Sequence, residues 1–152
     1  MRLSRSVLVA LAVAGAAARA KPWNGIVPGT SSAEDVTEKF GDPTRTVTDG
    51  GKRTLVYSAK EAIRGTVQAQ FRLSADQIVE RIDVYPAVIL DAEAIEKSYG
   101  PACTPKGAAD PCFVKKTTPK QTPYYVYAKL GLAVFFKDDG RTVQSLTFLP
   151  GS

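Results

Sequence analysis

Histidine is missing from all 152 residues. Its absence removes at once the usual general base, the usual hydrolytic triads and the commonest metal ligand. Cysteine is scarce, Cys103 and Cys112 being the two present, so no Cys-x-x-Cys redox pair and no zinc-type cysteine–histidine set can be drawn. A phosphate-cradling glycine-rich loop and a calcium-loop pattern are lacking as well. Acidic pairs do occur, Glu34-Asp35 and Asp138-Asp139. The first falls at an expected helix N-terminus, where negative charge is favourable, and the second in an expected turn. These gaps predict a protein that is not an enzyme and that carries no cofactor and no metal.

Beyond the first twenty residues no apolar run approaches the roughly 20 residues that a membrane-spanning helix needs. The first twenty have a different logic. Arg2 and Arg5 make a positive start, residues 7–14 are apolar, and Ala18-Arg19-Ala20 places small residues at the −3 and −1 positions of a cleavage site. This is the three-part layout of a secretory signal peptide over residues 1–20. No cysteine follows the apolar run to carry a lipid, so no lipid anchor is expected. The mature chain is expected to be free of transmembrane segments and periplasmic or secreted. With Arg2, Arg5 and Arg19 removed, 20 basic residues become 17 against 15 acidic ones, a balance of +2. That gives no support to nucleic-acid binding, which rests on clustered positive charge.

In an exported chain an even cysteine count reads as a disulfide. Cys103 and Cys112 lie nine positions apart in a loop-like stretch with Pro105, Gly107 and Pro111. Closing a ring of that size contributes about 2.5–3 kcal/mol in the chain-entropy view. A structural staple is the expectation, a redox or metal role the sharper alternative.

Two short helices are predicted. In Ser31-Ser32-Ala33-Glu34 a serine cap with Glu34 reaching back forms a capping box. Ala33, Val36 and Phe40 then share one face, and Gly41 with Pro43 ends the helix. Asp91 caps the second, Ala92, Ile95 and Tyr99 repeat the face, and Gly100-Pro101 repeats the stop. Strands are expected at 54–58, 66–73, 78–85, 124–129, 132–137 and 142–149. In the second of these Val67, Ala69, Phe71 and Leu73 alternate with Thr66, Gln68, Gln70 and Arg72. Asp139-Gly140 between two such runs is a strong hairpin signal. The order of helix and three strands thus occurs twice. It predicts an α+β protein of two tandem units, residues 21–86 and 87–152, each a short helix packed on an antiparallel meander.

Ile26-Val27-Pro28-Gly29-Thr30-Ser31, Glu34-Asp35-Val36, Phe40-Gly41-Asp42-Pro43 and Leu55-Val56-Tyr57 resemble the SmpA/OmlA family, the BamE-like small outer-membrane lipoproteins. The resemblance implies a helical pair against a small antiparallel sheet and a role in envelope assembly. A doubled version of that fold is similar to the secreted β-lactamase-inhibitor proteins, which implies the alternative of a secreted inhibitor of an enzyme. The functional expectation is therefore an exported, non-catalytic binding or assembly module of the bacterial cell envelope with a protein partner. Trp23, Tyr57, Tyr124, Tyr125 and Tyr127 are the candidate contacts, since tyrosine and tryptophan are enriched at interfaces. In a strand Tyr125 and Tyr127 share one face and Tyr124 and Val126 the other, so one pair belongs to the core. Mass analysis of the exported product is expected to show an N-terminus at Lys21 and the loss of two hydrogens, with neither cysteine alkylated before reduction.

Overall fold

Ser32 stands in extended backbone and starts α1 (Ala33–Phe40). Its hydroxyl accepts from the Asp35 N–H at 3.1 Å, and the Asp35 carboxylate accepts from the Ser32 N–H at 2.8 Å. Two donors that the first turn leaves orphaned are thereby satisfied. The partner in the box is Asp35 rather than the expected Glu34, because Ser32 and not Ser31 is the cap. Ser31 is buried, and its hydroxyl accepts from the Val27 N–H. Asp91 caps α2 (Ala92–Tyr99) as expected, its carboxylate accepting from the Ala94 N–H at 2.9 Å. At eight residues each, neither helix is long enough to persist alone in water. Val36 and Ile95 are buried, and Phe40 and Tyr99 pack partly buried against the same core.

The computed structural model of the protein describes residues 20–106 and 110–151. The expected leader residues Arg2, Arg5, 7–14, Ala18 and Arg19 lie outside the described residues, as does Gly107 of the cysteine loop. Strands β1 (Arg45–Asp49), β2 (Lys52–Tyr57), β3 (Thr66–Leu73) and β4 (Val79–Pro86) follow α1. After α2 come β5 (Val114–Thr117), β6 (Pro123–Tyr127), β7 (Leu132–Phe136) and β8 (Val143–Phe148). All eight join one antiparallel sheet in the order β1-β2-β3-β4-β8-β7-β6-β5.

This corrects the expected architecture. The chain is one eight-stranded sheet bearing two short helices, not two tandem helix-plus-meander units. The last strands of the two halves pair through Ile82↔Phe148, Asp83↔Thr147 and Val84↔Leu146. A single apolar core then runs from Leu55 and Tyr57 through Phe71, Ile82 and Phe148 to Leu132 and Tyr127. The two strands that sequence patterning overlooked, β1 and β5, are the edges. Every residue in them is exposed, so neither carries the alternation that marks a half-buried strand. Charges on both, Arg45 and Asp49 in one and Lys115 and Lys116 in the other, suit free edges that must not recruit further strands.

Registered neighbours show which face is filled. Tyr57, Ala69, Val84, Leu146, Val134 and Tyr125 form one cross-strand row, and Leu55, Phe71, Ile82, Phe148, Leu132 and Tyr127 the next. Both rows are buried. Phe40 of α1 meets Tyr57 and Phe71 with ring centroids 6.0 and 5.7 Å apart, and Tyr99 of α2 meets Tyr127 at 5.9 Å. Both helices therefore cover the same face, and among the described residues the opposite face carries no helix.

Cys103 and Cys112 form the disulfide. Beside it the Cys103 N–H donates to Phe113 and the Phe113 N–H to Pro101, at 2.8 and 3.0 Å. The staple thereby holds Phe113 stacked on Tyr125, centroids 3.8 Å apart. Gly100 is required here: its φ is +122°, and a Cβ would collide with the carbonyl of Pro111.

Two core tyrosines tie the sheet to the helix ends, Tyr57 Oη donating to Gly41 O at 2.8 Å and Tyr127 Oη to Gly100 O at 2.9 Å. Burial, with the Glu96 charge second, pushes the Tyr127 phenol well above its ordinary value, and burial raises Tyr57 and Tyr99 too. A phenol held protonated more tightly in the folded than in the unfolded state stabilises the fold below the unfolded pKa, and that stabilisation is lost as pH rises. Stability to urea is accordingly expected to be insensitive to these groups below about pH 10 and to fall above it. Tyr127→Phe should cost about 1 kcal/mol at neutral pH through the lost hydrogen bond and make the alkaline decline shallower.

Candidate binding face

The uncovered face can be read strand by strand from the pairings. Arg45, Val56, Gln70, Asp83, Thr147, Ala133, Val126 and Val114 are successive register partners across all eight strands. On one side of this row lie Gln68 and Tyr85, then Ser145, Phe135, Tyr124 and Lys116. On the other side lie Val47, Thr54, Arg72 and Arg81. The period of two in a strand dictates this split: the residues between core positions in TVQAQFRL are Gln68, Gln70 and Arg72.

At its centre the face is rigidly wired. Arg81 donates Nε and Nη2 to the two carboxylate oxygens of Asp83 at 2.8 and 3.0 Å, and Thr147 Oγ1 donates to Asp83 Oδ1 at 2.7 Å. The bond to Asp83 holds the Arg81 guanidinium still more firmly protonated than usual, against an opposing effect of burial. Thr147 is only 3 % exposed, so this network spans β4 and β8 where the two halves of the sheet meet. Towards β1 the floor dips into a depression of about 340 Å³ whose lining includes Lys52, Thr54, Gln70, Arg72, Arg81 and Asp83. Towards β5 it becomes aromatic, with Tyr124 and Phe135 stacked at 5.1 Å and an interplanar angle of 16°. Beyond Tyr85 lies an apolar lip formed by Val67, Val88 and Ile89, which are 63, 60 and 87 % exposed.

The candidate contacts divide between the faces. Tyr124 stands on the open one. Tyr57, Tyr125 and Tyr127 are buried in the core, and Trp23 packs half-buried against Phe40 and Phe71, both centroids 6.0 Å away. Arg72, Arg81, Tyr85 and Phe135 were not among the candidates. The alternation of β3 could have pointed to Arg72, but pairing across β4 and β8 is needed to bring the others alongside.

The acidic pairs lie where expected, one at a helix N-terminus and the other in a turn. Asp35 closes the capping box, and Asp139 accepts from Thr142 Oγ1 and from the Arg141 and Thr142 N–H groups. Those bonds, the Thr142 hydroxyl foremost, hold the Asp139 carboxyl down at about 2. Among the described residues no three His, Cys, Asp or Glu side chains are grouped to hold a metal ion, and no helix is long and apolar enough to cross a membrane.

No family model matches the chain, and no curated protein matches it in sequence. Among solved structures it is similar to a DUF4309 family protein, YjgB of Bacillus subtilis, with a TM-score of 0.58 and 19 % identity over 83 % of this chain and 82 % of that one. A cysteine-rich secretory protein of Staphylococcus aureus, SAV1118, aligns at a TM-score of 0.44 and 12 % identity over 79 % of this chain and 42 % of that one. The likeness to YjgB is one of fold. These findings correct the resemblance to the SmpA/OmlA family and to a doubled, inhibitor-like form of it: no BamE-like match is seen, and the local motifs that suggested one are a helix cap, a glycine stop and an aromatic strand, which many α+β chains share.

Truncation should separate the two faces. Tyr125→Ala is expected to cost about 3–5 kcal/mol, as for other core aromatics. Tyr124→Ala should cost no more than about 1.5 kcal/mol, the scale of one aromatic pair. Urea denaturation of both variants measures the difference.

Proposed function

We propose that the protein is an exported, non-catalytic binding module that holds a protein partner on the open face of its sheet. The observation that supports this is the asymmetry of the sheet. One face is filled by two helices and a continuous core, while the other carries no helix among the described residues and bears arginine, glutamine and partly exposed aromatic side chains around the buried Val56 and Thr147. Central aromatics and arginines are the residue types that dominate binding energy at interfaces. The lack of histidine and the tying of Asp83 and Asp139 into local bonds fit a role without chemistry. The disulfide and the leader pattern in the sequence favour the periplasm or the medium as the place of action.

Capture from envelope extract and culture medium tests this reading, using mature protein as bait beside a Tyr85→Ala/Tyr124→Ala bait. A partner held by the open face should bind the double variant at least roughly 30-fold more weakly, the scale of one hot-spot aromatic. A partner retained equally by both baits, or hydrolytic or transferase activity residing in the purified protein itself, would refute the proposal. If the retained partner is an enzyme slowed by the bait, the module acts as an inhibitor.

A further inference from the structure

Both edges of the sheet are exposed along their whole length, but they differ in the order of their charges. β5 carries Lys115 and Lys116 side by side and meets a copy of itself with like charges opposed. β1 reads Arg45-Thr46-Val47-Thr48-Asp49, with opposite charges at its two ends and a valine at its midpoint. Among the described residues Arg45 and Asp49 make no side-chain hydrogen bond or ion pair. Lys52, the register partner of Asp49, is bonded instead to Glu80 at 2.8 and 3.1 Å. Val47 between the two charges is 43 % exposed.

The backbone of β1 adds a second condition. Gly50 and Gly51, with φ of +56° and +77°, make the two-residue loop to β2. Such a loop is closed by a flanking pair that exchanges both backbone bonds, and the bonded pairs alternate from there. Asp49, Val47 and Arg45 therefore turn their N–H and C=O groups towards β2, and Thr46 and Thr48 turn theirs outwards. Set against a second β1 in antiparallel register about Val47, Thr46 of each copy faces Thr48 of the other and exchanges both backbone bonds with it. In the same register each Arg45 faces Asp49, and Val47 faces Val47. Threonine pairs and opposite charges are both favourable at opposed positions. A shift of two residues, the smallest that keeps outward residues paired, sets Arg45 against Val47 or Gly51 and loses both ion pairs. A parallel, in-register copy sets arginine beside arginine.

From this pattern we infer that β1 is a self-complementary edge, through which two copies of the chain join about a twofold axis at Val47 and run their sheets into one. Unpaired charges oppose a strand that cannot match them, so the edge stays closed to other sequences while accepting its own. Arg45, Val47 and Asp49 share the open side of the sheet. The two open faces therefore come side by side, with the depressions lined by Val47 and Asp49 on either side of the axis. Five residues a side make a contact smaller than that of a stable complex, so the dimer is weak and should be half-formed between about 0.1 and 1 mM.

Sedimentation equilibrium of the mature protein tests the inference. Arg45→Asp and Asp49→Arg each set like charges opposite one another twice in a dimer, and each should weaken self-association about tenfold or more. Mixed in equal amounts, the two variants again oppose unlike charges, and association should return. Arg45→Asp and Asp49→Arg combined in one chain should restore it as well. Thr46→Pro removes an outward N–H from an edge strand, where proline is tolerated, and should weaken the dimer without unfolding the monomer. Every position changed is exposed, so urea midpoints of the charge variants should match that of the parent. The inference is overturned if the parent stays monomeric at about 1 mM, if either charge variant or Thr46→Pro dimerises as the parent does, or if the mixture associates no more tightly than its components.

Discussion

Pairing between β4 and β8 is the interaction on which the rest of this molecule depends. Three registered pairs, Ile82↔Phe148, Asp83↔Thr147 and Val84↔Leu146, join strands 64 residues apart in sequence at Asp83 and Thr147. Each outer pair puts two apolar side chains on the helix side, and the middle pair puts a carboxylate and a hydroxyl on the other. The same contact therefore closes the core and wires the centre of the open face. Without it there would be two four-stranded sheets with two additional edges exposed to association.

What the helices supply follows from their length. Eight residues of helix have little stability of their own, so each is held by what it covers. Phe40 and Tyr99 reach the aromatic rows, and the hydroxyls of Tyr57 and Tyr127 fasten the glycine ends. Both helices lie on one side because both rows of large apolar residues lie there. With both helices committed to one face, the other carries no helix among the described residues.

That free face combines a rigid part with an open part. The Arg81–Asp83–Thr147 bonds are internally satisfied, which fixes side-chain positions before anything binds. Around them Arg72 is held by Glu80 at 3.4 Å, and Gln70 makes no side-chain hydrogen bond among the described residues. The disulfide is placed well away from this chemistry, beside α2 and Phe113, and its effect is on the packing of the core side.

Local patterns were sufficient for both helices, for the caps apart from a shift from Glu34 to Asp35, for the six strands that bury a side, and for the sharing of a face by Tyr125 and Tyr127, because each depends on residues within a turn or a strand of one another. They could not reveal β1 and β5, whose residues are all exposed and so carry no alternation. Nor could they decide between two small sheets and one large one, since that depends on β4 finding β8. The open face belonged wholly to tertiary structure: Arg72, Arg81, Tyr85 and Phe135 come onto one face through strand pairing, and a one-dimensional pattern holds no record of which distant strands pair. The composition alone determined that histidine chemistry is absent and that the two cysteines could close a ring. The sheet decided which tyrosines are packed away and which meet solvent, because burial is a property of the assembled layers.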